Sequence, residues 1–193
     1  MTSSSHSVPA EALPCRVLWV GLGCQQGTPK SLIEQAIRDV FRACALQEDA
    51  IAGLATIDTK VNEAGLIAFC RDRNLPLLFF EATRLRSVAV PHPSSAIDAL
   101  VGTPSVAEAA AILACWELEG RANRVTGTQR CRKITSADIA LPDLCVPKQR
   151  FRSENDPGSV TIAVARFPRT AINLDHNSIT IRAKLMFDRC RNR

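Results

Sequence analysis

Three observations predict an α/β protein: a single three-layer domain with a mainly parallel sheet and an antiparallel pair at its C-terminal end. Strand-like and helix-like patterns alternate between residues 16 and 80, the order that sets parallel strands side by side with helices on the faces. Two later strand patterns, 144–151 and 159–167, are joined only by the polar stretch Arg152–Gly158. That length suits a hairpin and is too short for a parallel crossover. Finally, 46% of the 193 residues are hydrophobic and 22% are charged, which allows a real core and argues against wholesale disorder.

Each element follows from its own pattern. Residues 16–22, RVLWVGL, form a short β-branched run stopped by glycine and read as a buried strand. Thr28 and Pro29 then mark a helix start, with threonine as N-cap and proline in the first helical position. Ser31 and Glu34 offer an alternative capping box one turn later. Leu32, Ile33, Ala36, Ile37, Val40, Phe41 and Cys44 recur on one helical face. IAGLATI, residues 51–57, is a second strand, and the polar DTKVNEAG follows it. Residues 63–73 predict a short helix burying Leu66, Ile67, Phe69 and Cys70; 75–80, LPLLFF, is a third strand with proline at its opening, where it is tolerated. Pro91-His92-Pro93 reads as a loop, followed by a short helix over Ser95–Leu100. Ser105 and Glu108 make an S-x-x-E capping box for a helix over 106–119.

The remaining segments are expected to lie outside the packed domain, taken as residues 15–167. Residues 1–14 read as a disordered arm, and 120–140 as a long loop containing a basic insertion at about 121–140. Residues 168–193 are an extension that could add an edge strand or stay flexible.

Composition narrows the function. The first 14 residues lack the basic start and apolar core of a secretory signal, and no run approaches the ~20 apolar residues that span a bilayer. The eight cysteines show no C-x-x-C spacing, and several fall on apolar faces. Reduced thiols in the cytoplasm are expected, without disulfides. Three histidines far apart at 6, 92 and 176 give no zinc pattern, so neither a metal nor a cofactor is expected. Charge is uneven: residues 1–120 carry nine Lys/Arg against 13 Asp/Glu, and residues 121–193 carry 15 against six. A basic last third suits an anionic partner. Nucleic acid is not expected, because the chain has no tyrosine and no basic–aromatic platform for stacking bases.

Three loops carry the candidate chemistry. GLGCQQGT, residues 21–28, joins a strand to a helix, where backbone N–H groups and the helix dipole favour anions. Its spacing fits neither G-x-x-x-x-G-K-[ST] nor G-x-G-x-x-G, so a nucleotide is disfavoured. An anion site and a purely packing role for the glycines both stay open. Cys24 stands near the helix start, where a thiol pKa tends to fall; a small residue packed in a turn is the simpler reading. Asp58, Lys60 and Glu63 end the second strand, the place where ligands bind in open α/β sheets. They could position a water or hold an acidic substrate, or simply form a surface ion pair. VGTPSVAEAAA, residues 101–111, feeds a second glycine turn into a helix N-terminus. There the capping box explains Glu108 without catalysis.

VGLGCQQGT, LATIDTKVNEAGL and VGTPSVAEAAA, followed by VPKQRF and VTIAVARF, occur in this order over residues 16–167. This combination resembles the cobalamin biosynthesis family of CobE and the C-terminal domain of CbiG. The resemblance implies a role in making the corrin ring of vitamin B12, with a precorrin or cobalt-precorrin tetrapyrrole as ligand and other pathway enzymes as partners. Full-length CbiG opens the δ-lactone of cobalt-precorrin-5A and releases acetaldehyde; this chain has no room for the other CbiG domains. Motif by motif, the resemblance points to Gly21, Gly23, Cys24, Gly27 and Thr28, then to Lys60, and then to Gly102, Thr103, Ser105 and Glu108 as ligand-binding positions. Asp58 and Glu63 would orient a water if the protein is a hydrolase, with glycine-loop N–H groups at the oxyanion. As a carrier or interaction module, the same loops would grip carboxylates and do no chemistry.

Overall fold

The computed structural model describes residues 16–125, 142–153 and 157–166. Strand β1 (Leu18–Cys24) sits at the centre of five strands ordered β3-β2-β1-β5-β4. It pairs in parallel with β2 (Ile51–Ile57), which pairs in parallel with β3 (Leu77–Phe80). On its other side it pairs antiparallel with β5 (Val160–Arg166), and β5 continues antiparallel to β4 (Asp143–Phe151). The predicted hairpin therefore closes directly against the first strand.

The two-residue period of β1 divides the core. Leu18, Val20 and Leu22 pack under α1 (Lys30–Ala43) and α2 (Ala64–Asp72), joined by Val160, Ile162 and Val164 of β5. On the opposite face Trp19 packs with α5 (Val106–Val125) and with Leu85 of α3 (Ala82–Arg86). Helix α1 buries Leu32, Ile33, Ala36, Ile37, Val40 and Phe41, the stripe its sequence spacing predicts. Each such large side chain contributes about 1.5–3 kcal/mol of transfer free energy. Helix α5 is buried all round over Ala107–Cys115, as a helix lying across a sheet under other segments must be. Its alanines let it approach closely. A Cβ on Gly21 would lie 1.8 Å from the Ala107 carbonyl oxygen, so only glycine fits beneath it.

The helix starts differ from their predicted caps. Pro29, with extended backbone, is the residue preceding α1, and no side chain caps that helix. The Thr28 hydroxyl instead donates to the Gln25 carbonyl at 2.8 Å and closes the preceding turn. Ser31 lies inside α1, and Glu34 takes Arg73 as its partner at 3.0 Å. The Ser105–Glu108 box is not formed either: Ser105 Oγ has no hydrogen-bond partner among the described residues, and Glu108 reaches across to β4. A serine-to-glutamate spacing permits a box, but a tertiary donor outcompetes it. Helix α3 was not legible, since five residues are too few to show a period. Helix α5 runs on to Val125, so residues 120–125 are helical and not part of a loop. The readings of 1–14, 126–140 and 168–193 fall outside the described residues.

Among the described residues, Cys24, Cys44, Cys70, Cys115 and Cys145 form no disulfide, and no single helix is long and apolar enough to cross a membrane.

Candidate functional site

The first two candidate loops are tied together by one carboxylate. Beyond β1 the chain turns at Gly27, which has φ 74°, a conformation that costs other residues 1–2 kcal/mol, roughly. The Gly27 amide donates to Glu63 Oε1 at 2.6 Å, and Lys60 Nζ lies 3.4 Å from Glu63 Oε2. Glu63 is only 7% exposed, so this is no surface pair. Gly65 lets the start of α2 press against the same turn, since a Cβ there would come within 2.3 Å of the Thr28 carbonyl oxygen. Both oxygens of Glu63 are therefore engaged in holding the glycine turn. Asp58 behaves differently: it is exposed on a 3-10 turn, Asp58–Lys60, with no side-chain partner among the described residues. The predicted trio is thus divided, Lys60 with Glu63 and Asp58 apart.

Cys24 ends β1 and does not sit at the helix terminus. Burial pushes its thiol up to about 11, the nearby Lys60 pulling it down and Glu63 adding to the rise. The expected lowering is outweighed, and the sulfur is a neutral thiol near pH 7. A thiolate nucleophile has no support here.

The third loop meets two residues, His92 and Lys148, that were not among the expected site positions. Thr103, Ser105 and Glu108, around the N-terminus of α5, are buried. Glu108 Oε1 accepts the Lys148 amide at 3.2 Å and lies 2.9 Å from His92 Nδ1. That amide is available because β4 is irregular there: Val146 faces Val164, but the next pair is Gln149 with Ile162. Lys148 Nζ also donates to the His92 carbonyl oxygen. Thr103 Oγ1, Ser105 Oγ and Glu108 Oε2 are buried with no partner among the described residues. Gly102 shapes the preceding turn as the left-handed residue ending α4 (Ser95–Val101), and its carbonyl accepts from Arg86 Nε at 2.8 Å. The signals were a lone histidine between two prolines for His92 and, for Lys148, its place inside the VPKQRF motif.

These groups share one rim. Gly23 faces Thr161 of β5 and lies beside Val106, the first residue of α5. The Gln25 amide donates to the Ser159 carbonyl at 3.2 Å. Arg150, opposite Thr161, reaches Ser159 Oγ at 3.4 Å. The rim lies at the carboxyl end of β1, where open α/β sheets bind ligands. Gly21 is not on it, being buried under α5. Among the described residues, no three His, Cys, Asp or Glu side chains converge as a metal site. A shallow depression of about 450 Å³, lined by Arg38, Phe41, Arg42 and Leu46, opens at the other end of α1.

The family profile described as "Cobalamin synthesis G C-terminus" matches residues 18–165. The chain belongs to this family. It is a cobalamin biosynthesis protein of the CbiG/CobE type, as its ordered motifs suggested. A curated relative, the cobalt-precorrin-5A hydrolase of Priestia megaterium, is 28% identical over 98 residues, covering 51% of this chain and 26% of the relative. The matched segment thus spans about a quarter of that hydrolase. The crystal structure of CobE, "a protein from the cobalamin (vitamin B12) biosynthetic pathway", has the same fold: TM-score 0.60 at 23% identity, over 83% of this chain and 98% of that one. The cobalamin biosynthesis protein chiG of Agrobacterium tumefaciens aligns with TM-score 0.47 at 26% identity, over 78% and 98%. In this CbiG/CobE-type chain, the three family loops and the VPKQRF strand all reach the rim just described.

Proposed function

We propose that this cobalamin biosynthesis protein binds a precorrin or cobalt-precorrin intermediate at the carboxyl-end rim of β1. One observation carries the reading: Thr103 Oγ1, Ser105 Oγ and Glu108 Oε2 are buried at the N-terminus of α5 with no partner among the described residues. Leaving such groups unsatisfied costs about 1–3 kcal/mol each, and the two hydroxyls are of the kind that would donate to a ligand carboxylate. The cations fit the ligand. Precorrins carry several acetate and propionate carboxylates, and Lys60, Lys148 and Arg150 all stand along the rim. A pathway intermediate would be met in the cytoplasm, and other pathway enzymes are the natural source and recipient of it.

A hydrolytic reading rests on Asp58, the rim carboxylate that is exposed and has no side-chain partner among the described residues. It could orient a water for lactone opening, a role that Glu63 cannot readily fill while both its oxygens are engaged. Titrating the purified protein with precorrin-5-type intermediates separates the readings. A change in visible absorbance reports binding, and released acetaldehyde reports turnover. Binding without acetaldehyde favours a carrier. Absence of both signals, with a pathway enzyme still co-purifying, favours a docking module. If neither tetrapyrrole nor pathway protein binds, the proposal fails. Lys60→Ala is expected to weaken binding, and unchanged affinity removes Lys60 from the site.

A further inference from the structure

We infer that His92, positioned by Glu108, is an axial ligand for the metal of a cobalt-loaded tetrapyrrole at this rim; the inference rests on the tetrapyrrole reading above. The argument begins with the proton. Glu108 Oε1 lies 2.9 Å from His92 Nδ1, and a carboxylate only accepts, so Nδ1 carries the hydrogen. In the neutral ring the lone pair is then on Nε2. Nε2 has no partner among the described residues, and the side chain is 56% exposed. A carboxylate behind a histidine orients the ring, the arrangement that supports metal-bound imidazoles. Imidazole is a suitable ligand for first-row metals such as cobalt.

The ring is held more firmly than a surface histidine needs to be. Glu108 is fully buried, and the Lys148 amide at 3.2 Å fixes the same oxygen. A buried carboxylate is costly unless its partners hold it, and its capping role is not realised here. The His92 carbonyl accepts from Lys148 Nζ. Pro91 and Pro93 flank the residue, and a residue before proline is confined to extended conformations. Much of the entropy that ligation would otherwise cost is therefore already lost.

The test uses the full chain and two probes: diaquacobinamide, a cobalt corrinoid without its own lower base, and the same corrinoid without cobalt. The wild type is expected to bind the cobalt form at least about tenfold tighter, with the visible band shift of nitrogen ligation. His92→Ala should bind both forms alike, without the shift, and added free imidazole should restore it. Glu108→Gln should weaken cobalt preference by about tenfold, read as the ratio of the two affinities, in which any effect of Glu108 common to both probes cancels. His92→Ala takes one hydrogen bond from buried Glu108, so its melting temperature should fall modestly, and the band shift restored by free imidazole shows that the variant is folded. Equal wild-type affinities for the two probes, or a band shift that survives in His92→Ala, overturns the inference. So does an equal loss for both probes in His92→Ala, which would mark a carboxylate contact and leave the tetrapyrrole reading intact. Binding of neither probe overturns both.

Discussion

Gly21 and Gly23 stand two residues apart in β1 and meet opposite constraints. A Cβ on Gly21 would lie 1.8 Å from a backbone oxygen of α5, whereas one on Gly23 would sit an ordinary 3.7 Å from Val106. Gly21→Ala is expected to destabilise the protein by about 1–3 kcal/mol or more, and Gly23→Ala by under about 0.5 kcal/mol. Urea denaturation of the two variants checks this, and equal midpoints would contradict it. Glu63→Ala should cost about 1–3 kcal/mol, because it releases the Gly27 amide and the Lys60 ammonium together; an unchanged midpoint would show that water replaces the carboxylate freely. The glycines themselves were conspicuous in the sequence. Their separate tasks were not, since those depend on which helix lies overhead. Glu63 was legible as polar and near a strand end, but its burial came only with the fold.

At the scale of elements, periodicity was a good guide and capping was not. The α1 stripe and the β1 alternation follow from local spacing alone, so they survive any tertiary context. Caps compete with distant partners: Glu34 is taken by Arg73, and Glu108 by β4 and His92. Arg73 in fact clasps three segments, with Glu34 on α1, Glu48 before β2 and its own place at the end of α2. The hydrogen bond from Arg73 holds the Glu34 carboxyl below its usual range, with burial opposing and nearby Arg and Lys charges assisting. A depressed folded pKa gives stability that is fully present above about pH 4.3, the unfolded value, and lost as pH falls through the folded one. Arg73→Met should therefore lower stability at pH 7 by roughly 0.5–1.5 kcal/mol after allowing for solvent screening, read as a lower Tm. It should match the wild type once pH falls below the folded pKa of Glu34. A deficit that persists undiminished in acid would mean that packing, with Arg73 lying over the Phe69 ring, outweighs the ion pairs.

For the whole molecule, the topology matters because it brings together loops that are far apart in sequence. β5 inserts beside β1, so the β4–β5 hairpin delivers Lys148 and Arg150 to the rim formed by the first two strands and α5. The ordered motifs revealed the family and the mixed sheet. They could not reveal that residues 27 and 63, and residues 92, 108 and 148, would be joined by hydrogen bonds, since pairing across 16 to 56 positions leaves no local trace. Binding of a polycarboxylate there should weaken as salt rises, because exposed charges beyond the Debye length of ~8 Å are screened at physiological ionic strength. The most direct test of the rim is a backbone-amide NMR titration with a precorrin-type tetrapyrrole. The predicted result is a set of saturable shifts at Gly23–Gly27, Lys60, Thr103–Glu108 and Lys148. Shifts confined to the Arg38–Asp49 depression at the other end of α1, or no shifts at all, would contradict the account.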